Sequence, residues 1–163
     1  CLATFLIPSE IVNKEEGLIL ALDSVRDPGN LGTIIRLCDW FGVSTLVCSN
    51  ETVDMFNPKV VQATMGSLSR VKVVYVELEE YLKSTALPVF GTFMDGESIY
   101  KEKLPSSGII VMGNEANGIS NKIENLVSKR ISIPRFGNLQ VTESLNVATA
   151  TAIILNEFKR IEL

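Results

Sequence analysis

The run Leu18-Ile19-Leu20-Ala21-Leu22 is apolar at every position rather than at alternate ones. A strand with one wet face alternates, whereas an unbroken apolar run of this length fits a strand buried on both faces of a parallel sheet. Similar short runs recur at Thr45–Cys48, Val71–Val76, Val89–Phe93, Ile109–Met112 and Ile131–Ile133. Helical patterns separate them, so the chain reads as α/β, a mainly parallel sheet flanked by helices. With 163 residues, 46% of them hydrophobic, there is material for one well-buried core and too little for two full-sized domains.

The first helix is expected after Asp27-Pro28-Gly29-Asn30 and runs to about Phe41, with Gly42 as its stop. Ile34, Leu37, Cys38 and Phe41 form its core stripe, and Arg36 lies off that stripe beside Thr33 and Trp40. A second helix follows Asn57 as N-cap and Pro58 as first helical residue, ending near Met65 before Gly66. Glu77–Lys83 and Asn121–Val127 are shorter helical candidates. The last helix, from Leu145 to about Phe158, is apolar nearly all round, which predicts a second copy of the chain against it.

Composition removes several functions. There is no histidine, and Cys1, Cys38 and Cys48 lack metal-ligand or CxxC spacing, so neither a metal site nor a disulfide framework is expected. Cys38 and Cys48 read as small buried hydrophobes. No apolar run approaches the roughly 18 residues of a membrane span, which predicts a cytoplasmic protein. A net charge of −4 argues against a broad nucleic-acid footprint, so any RNA contact must be local or supplied elsewhere.

Three polar clusters stand at the ends of apolar elements: DSVRDPGNLGTIIR (23–36), GNEANGIS (113–120) and IPRFGNLQVTESLNVATA (133–150). The middle one has two glycines five apart after a strand-like run, as a phosphate cradle would. Glu115 inside it would repel a phosphate, and Gly118 is followed by Ile119 and Ser120 where a P-loop requires Lys and Ser or Thr. The loop therefore needs another ligand.

Together and in this order the clusters resemble the three signature motifs of the SpoU/TrmH family of SPOUT methyltransferases, over nearly all of Leu18 to Arg160. The resemblance implies a C-terminal deep trefoil knot, a homodimer, and S-adenosylmethionine bound in the knot as methyl donor to a ribose 2′-hydroxyl of RNA, with ribosomal RNA favoured over tRNA. It implies a domain division as well: residues 1–17 as a lead-in from an RNA-recognition domain, and 18–163 as the methyltransferase domain. Asn30, Arg36, Glu115, Ser144 and Asn146 match the family's catalytic positions. Thr92, Gly113, Gly118, Ile133 and Leu145 fall where the family holds the cofactor.

A ribose hydroxyl is a poor nucleophile, so a site must remove its proton or stabilise the forming alkoxide. The resemblance allows Arg36 either role, and because a guanidinium holds its proton tightly, stabilisation is the chemically easier one. A buried guanidinium needs a carboxylate beside it, so Glu115 is expected to pair with Arg36. Ser144, just before an apolar run, suits helix capping as well as catalysis. Asn30 and Asn146 both donate and accept, which suits orienting their neighbours.

One departure stands out. Between Pro134 and Ser144 the segment RFGNLQVTE is several residues longer than the family's usual spacer, so the cofactor loop is expected to be reshaped. Arg26 and Arg135 read as surface arginines. Two other classes fit the pattern less well: a doubly wound nucleotide enzyme, disfavoured by the missing GxGxxG, and a non-catalytic SPOUT-like module that dimerises and binds RNA.

Overall fold

The computed structural model describes residues 16–101, 103–137 and 144–160. Six strands, β1 (Leu18–Leu22), β2 (Thr45–Ser49), β3 (Lys72–Val76), β4 (Val89–Ser98), β5 (Gly108–Met112) and β6 (Lys129–Ser132), form one sheet in the order β3-β2-β1-β5-β4-β6. Every pairing is parallel, as the unbroken apolar runs require. The helices are α1 (Pro28–Trp40), α2 (Pro58–Thr64), α3 (Leu78–Ser84), α4 (Asn121–Glu124) and α5 (Val147–Arg160).

Side chains of β1 alternate between two cores. Leu18, Leu20 and Leu22 pack with α1, α2 and α5, through residues such as Ile34, Val60 and Phe158. Ile19 and Ala21 point the other way, toward Leu78 and Leu82 of α3 and Ile123 of α4. The sheet is thus the middle of three layers, dry on both faces. Phe158 of α5 meets Phe90 edge to face at 5.3 Å between ring centroids.

The topology also fixes where a ligand can enter. From β1 the chain turns outward through α1 to β2, and from β5 it leaves in the opposite sense through α4 to β6. Because these neighbours send their connections apart, a crevice opens at their C-terminal ends, the place where open α/β sheets bind ligands. The loops at that crevice, residues 23–27 and 113–120, are two of the three polar clusters.

Local signals behave largely as their chemistry demands. Asp27 caps α1, its side chain accepting from the Asn30 N–H at 2.7 Å, with Pro28 in the first turn; Asn57 does the same for α2 through the Lys59 N–H. Gly42 takes a φ of +66° after α1, which a residue with a Cβ adopts at a cost. Gly32 lets α1 and α2 touch, since a Cβ there would lie 2.4 Å from the Ala63 side chain.

Three expectations are corrected. The strand expected to end at Phe93 continues to Ser98, because residues 93–96 bulge away and the chain then returns to pair Glu97 with Ile131. Gly96 permits that return, its missing Cβ leaving room for the Ile131 backbone. The short helix after Ser120 ends at Glu124 rather than Val127, and the last helix begins at Val147 rather than Leu145. The segment 138–143, which spans most of the long spacer, lies outside the described residues, so the expected knot crossing is not traced. Among the described residues no helix is long and apolar enough to cross a membrane.

Candidate active site

Glu115 projects from the loop after β5 toward the N-terminus of α1. Its Oε1 accepts from Asn30 Nδ2 at 3.0 Å and, more distantly, from the Asp27 N–H at 3.4 Å, while Oε2 faces the Arg26 N–H at 3.5 Å. A carboxylate beside the free N–H groups of a helix start is electrostatically favoured. Asn30 in turn accepts at Oδ1 from Asn146 Nδ2, 2.8 Å away.

The direction of this chain of bonds is set by α5. Asn146 is the N-cap of that helix: its Oδ1 accepts from the N–H groups of Ala148 at 3.0 Å and Thr149 at 3.2 Å. With its oxygen committed, Asn146 can offer only its NH2 to Asn30. Asn30 must then present its oxygen to Asn146 and its NH2 to Glu115. The three polar clusters, separated by 85 and 116 residues, meet in one polarised chain, Asn146 to Asn30 to Glu115.

Two expectations fail here. Glu115 does not pair with Arg36: its carboxylate faces Asn30 and the Asp27 and Arg26 N–H groups at the start of α1, and Arg36 lies further along that helix. Nor is Arg36 buried. It is exposed and makes no hydrogen bond or ion pair with another described residue, so its desolvation needs no offset. Ser144 is not the helix cap either, since Asn146 holds that position; Ser144 itself is exposed.

Of the proposed cofactor residues, Gly113 and Ile133 directly follow β5 and β6, and Thr92 lies on β4 between them. Gly113 passes so close to the far side of its own loop that a Cβ would sit 2.3 Å from the Gly118 carbonyl carbon, and Gly118 closes the turn at a φ of +69°. Asn114 pairs with Gly118 through both backbone hydrogen bonds, at 2.9 Å each, which makes the loop a tight ring. Thr92 donates its hydroxyl to the Val111 carbonyl at 3.0 Å. Ile133 is half-buried against the core, whereas Leu145 remains 50% exposed.

Sequence reading missed what lies beneath the loop. Asp23 is 3% exposed, and its Oδ2 accepts from the Ser120 N–H at 2.7 Å. Ser24 sits at a φ of +61°, uncommon without glycine. It also overlooked Arg130, whose guanidinium bridges Glu124 and Asp95 and lies 3.6 Å over the Phe93 ring, holding the β4 bulge. The available signal was a charged residue against an apolar strand, Asp23 directly after Leu22 and Arg130 directly before Ile131.

A doubly wound parallel sheet with a carboxylate–amide centre at its switch point places the chain among the α/β folds that take ligands at the C-terminal ends of their strands. Residues 17–156 match the SpoU rRNA Methylase family, and the chain belongs to it. It is 35% identical over 141 residues to the 23S rRNA (guanosine(2553)-2′-O)-methyltransferase RlmP of Bacillus subtilis, covering 84% of this chain and 56% of that protein. A TrmH-family protein from Porphyromonas gingivalis superposes with a TM-score of 0.86 at 42% identity, over 94% of this chain and 63% of that one. The AdoMet-bound rRNA methyltransferase of Sinorhizobium meliloti superposes at 0.81 with 34% identity, over 92% of this chain and 58% of its own. The chain therefore spans little more than half the length of the curated relatives it matches.

Proposed function

We propose that this chain transfers a methyl group from S-adenosylmethionine to a ribose 2′-hydroxyl of ribosomal RNA. The observation that carries the reading is the convergence of three distant family motifs in the bonded chain Asn146–Asn30–Glu115 at the sheet's switch point. Support for ribosomal RNA comes from the relatives, several of which are named 23S rRNA 2′-O-methyltransferases.

The residues present suit the cofactor. S-adenosylmethionine has no phosphate, so a carboxylate-bearing loop is compatible with it. Gly113 lets the loop fold tightly on itself, since the space a Cβ would take is filled by the Gly118 and Ile119 backbone. Exposed Leu145 and half-buried Ile133 offer apolar contact, and the Gly113–Gly118 loop offers peptide groups. When bound, the sulfonium supplies an activated methyl group.

This chain's own residues then orient the ribose hydroxyl, whose proton passes to water as its oxygen takes the methyl group and S-adenosylhomocysteine is released. Asn30 and Asn146 fix Glu115 as an oriented acceptor at the crevice. Arg36, exposed on the same helix, stabilises the developing alkoxide or an adjacent phosphate as a fixed positive charge. A second copy of the chain completes the site: Trp40, 83% exposed one turn beyond Arg36, and the half-buried Ala152 and Ile153 of α5 form the surface it covers.

The test is tritium transfer from methyl-labelled S-adenosylmethionine into ribosomal RNA, with the product mapped by the alkali resistance that a 2′-O-methyl group confers. Saturable S-adenosylhomocysteine binding accompanied by one protected nucleotide is expected. Absence of both would overturn the proposal, and binding without transfer would favour the non-catalytic alternative.

A further inference from the structure

Glu115 makes its contacts from an exposed loop, and the precision of the site depends on what holds that loop. Two ties bracket it. At its near end Asn114 Nδ2 donates to the Ser24 carbonyl at 2.7 Å, and at its far end the Ser120 N–H donates to Asp23 Oδ2, also at 2.7 Å. Both anchors belong to the turn after β1, the same turn whose Arg26 and Asp27 N–H groups face Glu115.

The anchor itself is built to stay in place. Ser24 is held at its left-handed φ of +61° from several sides: its N–H donates to Ser49 Oγ at 3.0 Å, its hydroxyl to Asp23 Oδ1 at 3.3 Å, and its carbonyl accepts from Asn114. Asp23, Ser49 and Thr52 are all buried, and Ser49 and Thr52 share a hydroxyl contact of 3.3 Å. Strained backbone that its surroundings over-determine is a recurring mark of functional turns. Ser120 contributes through its backbone alone, for its own hydroxyl is buried without a partner among the described residues.

We propose that Asp23 and Asn114 are positioning residues that latch the Gly113–Ser120 loop to the turn after β1 and so set Glu115 against Asn30. The inference rests on the methyl-transfer reading for its consequence but not for its geometry. Both act through Glu115, which Asn114 Nδ2 also faces directly, 3.4 Å from Oε2. Asp23 supplies a carboxylate acceptor in a dry position, and Asn114 converts a strained peptide into a fixed reference point.

The test uses the full chain as Asp23→Ala, Asp23→Asn and Asn114→Ala, read by NMR of the side-chain amides of Asn30 and Asn146 and, separately, by steady-state kinetics. Asp23→Ala is expected to move the Asn30 amide resonances and to lower kcat at least tenfold at saturating methyl donor. Asp23→Asn keeps an acceptor for the Ser120 N–H, so it should restore the resonances and bring kcat within about threefold of the parent. Asn114→Ala, at a less buried position, should reproduce the spectral change even if Asp23→Ala fails to fold. Unmoved Asn30 resonances in Asn114→Ala, or an Asp23→Asn as impaired as a folded Asp23→Ala, would overturn the latch. Resonances moved in the variants of a parent protein that itself transfers no methyl group would keep the latch and overturn the enzymatic reading instead.

Discussion

Asn146 performs two tasks with two different atoms, and two substitutions separate them. Asn146→Ala removes the cap of α5, worth about 1 kcal/mol, and the bond to Asn30, worth about 1 kcal/mol net. For a domain of this size about 2 kcal/mol corresponds to a fall in Tm of roughly 4–8 °C. Asn146→Asp keeps an oxygen for the Ala148 and Thr149 N–H groups and adds a negative charge at a helix start, favourable by about 0.3–1 kcal/mol. It loses the donor, however. Asn30 must then leave its oxygen facing a carboxylate or turn over and point that oxygen at Glu115.

Thermal unfolding and methyl incorporation are therefore expected to part company. Asn146→Ala loses both stability and turnover, while Asn146→Asp melts within about 2 °C of the parent and still loses at least tenfold in kcat, about 1.4 kcal/mol of barrier. Wild-type turnover in Asn146→Asp would refute the idea that the direction of the amide chain matters. An unchanged Tm in Asn146→Ala would refute the capping assignment.

Further outcomes follow from the same geometry. Arg36→Ala should abolish methyl transfer with a stability change within about 0.5 kcal/mol, because Arg36 is exposed and unpaired among the described residues; near-normal turnover would remove it from the mechanism. Gly113→Ala places a Cβ against the Gly118 carbonyl carbon, so calorimetry should find S-adenosylhomocysteine binding lost and melting should show about 1–3 kcal/mol of destabilisation. Burial pushes the thiols of Cys38 and Cys48 far above the ordinary cysteine range, so a thiol reagent should label neither until the protein unfolds.

The sheet was legible because burial on both faces leaves an unbroken apolar signature, and each of the six runs forms a strand. The caps at Asn57 and the glycine stop at Gly42 were readable for a similar reason, being local chemistry within a few residues. The members of the site were legible only through the family's motifs, and their pairing was not. Which acceptor meets Asn30 depends on the angle at which a loop 85 residues away crosses a helix start, and no local pattern encodes that. Desolvation reasoning placed Glu115 on Arg36 by assuming a buried arginine, an assumption that the exposed face of α1 removes. The β4 bulge escaped notice because its residues do not alternate or repeat, and its stabilising contacts come from Arg130 on another strand.

The link between Asn30 and Asn146 also has a temporal meaning. A ribosome making this chain finishes all six strands and the sheet's central crevice before it reaches the residue that closes the centre. Until the terminal helix docks, Asn30 lacks the neighbour that decides which way its amide faces. A nascent or clipped product stopped short of α5 would carry most of the architecture and none of the orientation, which ties chemical competence to the presence of that helix.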